Sequence, residues 1–328
     1  MTEGQKLQNT TAGIVFILIG ILAISVNDMV IKFLSGGYPL HQMVFTRSLI
    51  GIGFSLALVQ MEGGWKILKT DQPGLHLLRG ALIVVANLTF FTALAVMPLA
   101  EATAVFFVAP LMITLLSIPL LGEKVGPMRI GAVIVGFVGV IIMTRPWEAG
   151  GTRDVGLVMY SLPVVAAFTY ALNNVLTRLL GAKSKASAMA VYIQTCFIVV
   201  SLVFWSVAGD GRFASAFENE SLVFLLRAWV WPEGTDRWLF VGLGFNSAII
   251  GYCLGQAYRL ADAATVAPFE YVGLPMAIFW GWAIWGELPN LPVAIGITLI
   301  LGSGLFVFLR ERQKKRNVVS QKRVHRRY

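Results

Sequence analysis

Apolar positions in this chain come in unbroken runs of about twenty residues, separated by short polar breaks. A run of that length crosses the ~30 Å hydrocarbon core of a bilayer as a helix, whereas a membrane strand needs only about ten alternating residues. The runs predict ten helices, over about 12–34, 39–60, 75–97, 100–121, 127–145, 155–177, 187–208, 238–258, 263–285 and 291–309. Most breaks hold Gly, Pro or charge, as in Ser35-Gly-Gly-Tyr-Pro39 and Gly122-Glu-Lys-Val-Gly-Pro127. The connection over about 209–237 is longer and carries the apolar Leu222–Leu226 with Trp229, Trp231 and Trp238. Tryptophan settles at headgroup level, which favours an interfacial segment there; a lid over a vestibule is the sharper alternative.

The polar punctuation repeats. Leu99-Ala-Glu-Ala-Thr103 recurs as Leu260-Ala-Asp-Ala-Ala264, and each copy opens an apolar run that passes a proline (Pro110, Pro275) to a Gly-Glu pair (Gly122-Glu123, Gly286-Glu287). A glycine-studded run follows in each, with Gly131, Gly136 and Gly139 in one and Gly296, Gly302 and Gly304 in the other. Two five-helix repeats are expected, over 12–145 and 155–309, followed by a basic cytoplasmic tail over 310–328.

Composition agrees with this reading: 57% of the 328 residues are hydrophobic and only 13% are charged, against about a quarter charged in soluble proteins. The net charge of +9 does not imply nucleic acid, because nine of the Lys and Arg residues lie between Arg310 and Arg327, where they suit anionic lipid. Cys196 and Cys253 lie within apolar runs and predict no disulfide framework. With the N-terminus inside, cytoplasmic segments hold Lys6, Lys66, Lys69, Arg79, Lys124, Arg129, Arg178, Lys183, Lys185, Arg259 and the tail. The other side holds Lys32, Arg145, Arg153, Arg212, Arg227 and Arg237. This bias predicts both termini in the cytoplasm. Five helices per copy then invert the second copy, placing Glu101 outside and Asp262 inside, the arrangement of alternating-access carriers.

Ionisable groups at membrane depth cost roughly 2.5–3.5 kcal/mol each at a helix centre and mark function or pairing. Asp28 and Lys32 stand four apart on the first helix, either as a local ion pair or with Asp28 in a pathway. Arg47, on the second helix, reads as a structural clamp that pairs with Asp28 or binds carbonyls. Glu101 lies nearer an interface. Glu270 follows Pro268, which frees a backbone carbonyl, and has no basic residue within a turn in sequence, so it is the first candidate for substrate binding or coupling. Asn87 and Phe91, Tyr170 and Asn173, and Asn246, Tyr252 and Gln256 form polar and aromatic stripes on the third, sixth and eighth helices. Each amide alone reads as an interhelical hydrogen bond, whereas several stripes together describe one shared cavity. Tyr271, beside Glu270, completes the candidate set, and Trp280 and Trp282 are further lining candidates. His41, His76 and His325 fall at span ends or in the tail, so no buried catalytic pair or metal cluster is visible. No phosphate loop or filter loop appears either, which disfavours an intramembrane enzyme, an ATP motor and a channel.

The acid-led fourth and ninth runs, Pro110 and Pro275, the Gly-Glu pairs and the Gly-rich closing runs together resemble the drug/metabolite transporter superfamily, specifically its members with two EamA-type domains. Ala267-Pro-Phe-Glu-Tyr271, Gly281-Trp-Ala-Ile-Trp-Gly-Glu-Leu-Pro289, Tyr38-Pro39 and Phe45-Thr-Arg47 are similar to the branch of bacterial riboflavin and S-adenosylmethionine uptake carriers. The resemblance implies a secondary transporter of the bacterial inner membrane, with a small-molecule substrate, a proton as candidate coupling ion and no cofactor. Two deep acids and two deep bases cancel, which suits a neutral flat ring and places riboflavin first. S-adenosylmethionine uptake and amino-acid or metabolite export are the alternatives.

Overall fold

The structure, a computed structural model, describes residues 3–122, 126–145, 147, 157–180, 184–214, 219–260 and 267–325. Glu123 and Asp262, two of the repeat acids, lie outside the described residues. Among the described residues every regular element is helical. These are α1 (Glu3–Leu34), α2 (Leu40–Glu62), α3 (Pro73–Leu94), α4 (Leu99–Phe106), α5 (Ala109–Leu121), α6 (Pro127–Thr144), α7 (Leu157–Leu180), α8 (Ala186–Ala208), α9 (Glu220–Leu226), α10 (Asp236–Leu260), α11 (Gly273–Trp280) and α12 (Leu291–His325). Seven segments are long and apolar enough to cross a membrane, namely Thr11–Leu34, Leu40–Glu62, Pro73–Leu94, Leu99–Leu121, Val158–Thr177, Ser187–Ala208 and Asp236–Leu254. Ile130–Thr144 and Leu291–Phe306 are shorter apolar helices. The chain is a multi-pass membrane protein.

The fourth and ninth predicted runs are broken rather than continuous. The fourth divides at Phe107 and Val108 into α4 and α5, and Pro110 sits in the first turn of α5. Proline lacks an N–H and fits a first turn, so the residue expected inside a helix instead starts one. In the ninth run a 3-10 segment, Ala267–Val272, leads into α11, where Pro275 again lies in the first turn. Both copies end on a glycine in the left-handed region, Gly122 (φ 67°) and Gly286 (φ 68°), where a side chain would be strained. Before Gly286 the helix widens into a π turn, Gly281–Trp285.

Packing is pairwise and exchanges partners across the chain: α1 lies on α10, α3 on α7, α2 on α8, and α6 on α12. Gly139 and Gly296 make the last contact possible. A Cβ on Gly139 would stand 2.9 Å from the Gly296 carbonyl oxygen, and one on Gly296 would stand 2.7 Å from that of Gly139. Small residues let helix backbones meet this closely. On α10, Gly244 lies close against Ile50.

Candidate functional site

Helix α1 orders the site along the bundle, since each residue advances it by ~1.5 Å. Near Ile17 and Ile21, α1 meets Ala257, Phe269 and Val272. One to two turns on, Ala23 accepts a 2.6 Å hydrogen bond from the Asn246 amide, and Ser25 accepts one of 3.3 Å from the Trp280 indole. Asn27 and Asp28 follow, and Lys32 stands one turn beyond them.

The middle layer is polar and enclosed by rings. The Arg47 guanidinium donates to Asn27 Oδ1 at 3.2 Å, and the Asn27 amide donates to Asp28 Oδ1 at 3.1 Å. Asn27 thus bridges the expected Asp28–Arg47 partnership, which is electrostatic. Arg47 is buried, with Phe91 5.8 Å and Phe197 5.3 Å from its guanidinium carbon. Delocalised charge beside an aromatic face tolerates burial better than an ammonium does.

From Phe91 a chain of ring contacts runs to the Glu270 layer. Phe91 meets Phe90 at 5.3 Å, Phe90 meets Phe106 at 5.3 Å, and Phe106 meets Tyr170 at 5.3 Å and Phe107 at 6.5 Å. Phe107 meets Tyr271 at 5.5 Å. The break between α4 and α5 places Phe106 and Phe107 on successive links of this chain. Glu270 is half-buried in the 3-10 segment and interacts electrostatically with both Tyr170 and Tyr271. Its surroundings thus come both from its sequence neighbour Tyr271 and from Tyr170 on the distant α7. Tyr271 is itself lodged against Gly304, where a Cβ would meet its hydroxyl.

The structure does not join the other candidates to this chain in one way. Asn173 is buried with an unpartnered Oδ1, and Asn174 donates back to the Tyr170 carbonyl. Asn87 also has an unpartnered Oδ1 and lines a small cavity with His41, Val84, Phe197 and Phe204. Asn246 is spent on holding α10 to α1. Tyr252 is 38% exposed and edge-on to Phe16, and Gln256 is half-buried on α10. Trp282 is 57% exposed and Trp280 faces inward, so the two part company.

Lys32 corrects a second expectation. Its ion pair is not with Asp28 but with Glu287, at 3.0 Å, because Glu287 closes the element packed beside α1. Glu101, at the start of α4, is buried and accepts a 2.8 Å bond from Tyr160. Arg79, expected on a cytoplasmic segment, is buried within α3 and donates to Thr177 Oγ1 at 2.9 Å. Sequence reasoning missed Asn27, although it adjoins Asp28. It read Glu287 only as a repeat marker.

The long connection is docked, contrary to a purely interfacial segment. Phe224 on α9 is fully buried, Ser221 Oγ donates to the Thr92 carbonyl at 2.9 Å, and His41 Nδ1 lies 3.1 Å from the Leu225 carbonyl oxygen. The Gln42 side chain donates to the Val230 carbonyl at 2.6 Å and accepts from its N–H at 3.1 Å. Trp231 and Trp238 remain largely exposed, as an interfacial belt requires.

Comparison with known proteins agrees with this architecture. The chain is 29% identical over 308 residues to the riboflavin transporter of Vibrio cholerae, covering 93% of each. It is 26% identical over 272 residues to the riboflavin transporter of Brucella anthropi, covering 83% of this chain and 88% of that one. It is 25% identical over 301 residues to the S-adenosylmethionine uptake transporter of Rickettsia prowazekii, covering 92% and 94%. A protein of known crystal structure, 20% identical, superposes with a TM-score of 0.60 over 95% of this chain and 99% of its own, a likeness of fold. Residues 11–145 match the EamA-like transporter family, so the first half of the chain is similar to that family.

Proposed function

We propose that this protein is a secondary carrier that takes up a flat, neutral metabolite, with riboflavin first, across the bacterial inner membrane by alternating access. The observation that carries this reading is the run of rings from Arg47 through Phe91, Phe106 and Phe107 to Tyr271, with a polar group at each end. A planar heterocycle stacks on such rings while Asn27 and Arg47 address its polar edge. Glu270, Tyr170 and Tyr271 form the opposite polar end, where a coupled proton would be held. Asp28, Asn87 and Asn173 supply further polar contacts from α1, α3 and α7. Relatives named as riboflavin transporters support the substrate, and those named as S-adenosylmethionine uptake transporters supply the alternative.

Two inverted repeats, 12–145 and 155–309, make ten passes in this reading, with both termini and the basic tail in the cytoplasm. Supporting it, α1 on α10 and α7 on α3 become the same contact when the copies are exchanged, as do α5 on α7 and α11 on α1. The correspondence extends to sequence, since Asn27-Asp28 with Lys32-Phe-Leu34 recurs as Asn173-Asn174 with Arg178-Leu-Leu180. A repeat that holds its partner by equivalent contacts can rock against it about a fixed central site. The test is growth of a riboflavin-auxotrophic bacterium on limiting riboflavin, with labelled riboflavin and S-adenosylmethionine uptake measured in parallel. Rescue and saturable riboflavin uptake are expected. Uptake of S-adenosylmethionine alone would move the substrate to the alternative, and uptake of neither would refute both.

A further inference from the structure

A fully satisfied polar cluster lies outside the ring chain, at the end of α1. Lys32 Nζ has three N–H groups and three acceptors: the Met97 carbonyl oxygen at 2.7 Å, Glu287 Oε2 at 3.0 Å and Glu287 Oε1 at 3.1 Å. Its side chain is 8% exposed, and the Trp285 ring lies 4.9 Å from the ammonium. Glu287 Oε2 also accepts from the Leu99 N–H at 3.3 Å, one of the first-turn amides of α4 that no helical carbonyl can serve. Glu101, in the same first turn of α4, acts electrostatically on Lys32 and is tied to α7 through Tyr160.

The cluster therefore joins α1, the α3–α4 turn, the start of α4 and the end of the ninth run through one ammonium. It stands four residues, about 6 Å, beyond Asp28 on α1, so it caps the middle layer. Its acid lies two residues beyond the π turn Gly281–Trp285, a geometry frequent at functional sites. Glu287 is also the less enclosed partner, at 30% exposed, so it is the side that can leave.

We propose that Lys32 and Glu287 form a latch that closes this end of the transport pathway and opens when the end of the ninth run swings away from α1 and α4. A carrier must close each end in turn, and an ion pair between two elements can be made in one state and solvated in the other. Glu101 then holds the ammonium when Glu287 departs, so Lys32 stays with α1 and α4. The proposal rests on the reading of the chain as an alternating-access carrier but not on its substrate.

The test uses the full chain with Cys196→Ala and Cys253→Ala, carrying a reporter cysteine at Ser25, beneath the latch, or at Phe269, near the opposite layer. A membrane-impermeant maleimide is applied to right-side-out and inverted vesicles, without substrate. Lys32→Gln or Glu287→Gln should raise labelling at position 25 about tenfold or more and lower it at position 269, a shift of the open–closed population. Glu287→Gln keeps the volume of the acid but removes its charge and turns one acceptor oxygen into a donor, so it serves if Lys32→Gln does not assemble. Unchanged rates at both positions would overturn the latch. Rates rising together would overturn it too, since that reports general loosening. Failure of riboflavin or S-adenosylmethionine uptake leaves this readout intact, which separates the latch from the substrate assignment.

Discussion

Replacing Arg47 by Ala removes three interactions at once and strands a fourth group. The guanidinium bond to Asn27, a hydrogen bond with a charged donor, is worth about 1.5–3 kcal/mol. The two ring contacts contribute about 0.5–2 kcal/mol each. Arginine also paid a desolvation cost on burial, which the truncation returns, so the sum overstates the loss. Against that, half-buried Asp28 is left without its cation, and breaking a fully buried pair from one side costs about 3–5 kcal/mol, an upper bound here. We expect Arg47→Ala to destabilise by about 3–5 kcal/mol, a large part of an ordinary folding free energy. The sharper expectation is non-additivity. Asp28→Asn in the Arg47→Ala background should recover about 1–3 kcal/mol, because it removes the stranded charge, while in the wild type it should cost stability. Reversible denaturation in mixed micelles, carried through the full double-mutant cycle, measures this directly. If Asp28→Asn has the same effect in both backgrounds to within about 0.5 kcal/mol, Asp28 and Arg47 are energetically independent and the middle layer is wrongly described.

Two further outcomes are expected. Glu270→Gln should abolish or uncouple transport while leaving the amount of protein in the membrane unchanged, as read by uptake at several pH values and by immunoblot; unaltered uptake with unaltered pH dependence would remove Glu270 from the mechanism. Gly304→Ala should cost about 1–3 kcal/mol by overpacking and impair uptake, because its methyl would displace the Tyr271 ring from Phe107; a melting curve identical to wild type would show that the contact yields freely.

Particular residues show how far the site was legible. Apolar run length predicts most of the helices because a bilayer sets one length for all of them. The observed bounds of α2, α3, α6, α7, α8 and α10 fall within about three residues of the predicted ones, whereas α1 and α12 extend well beyond their apolar runs and the fourth and ninth runs are broken. Glu101, Arg47 and Lys32 were identifiable because charge is rare and costly at depth. Their partners were not. Lys32 has Asp28 four residues away and binds Glu287 instead, 255 residues on. Helical spacing offers a candidate partner, but only the neighbouring helix decides whether a better one is present. The same holds for Asn246, which reads as a cavity amide and is in fact bonded to the Ala23 carbonyl. The breaks after Phe106 and before α11 were signalled by Pro110 and Pro275, yet a proline marks either a kink or a start. The packing around Phe106 and Phe107 settled it.

The sequence by itself determined that the chain is helical and crosses the membrane repeatedly. Those properties follow from composition and period, which are local and additive along the chain. Tertiary structure decided which charges pair, which glycines lie at helix crossings, and that Leu222–Leu226 is docked rather than afloat. It also decided that rings from four separate segments form one path between two polar ends. Each of these depends on which faces of which helices meet. In uniformly apolar helices no periodic contrast records that choice, because lipid and a neighbouring helix ask for the same residues.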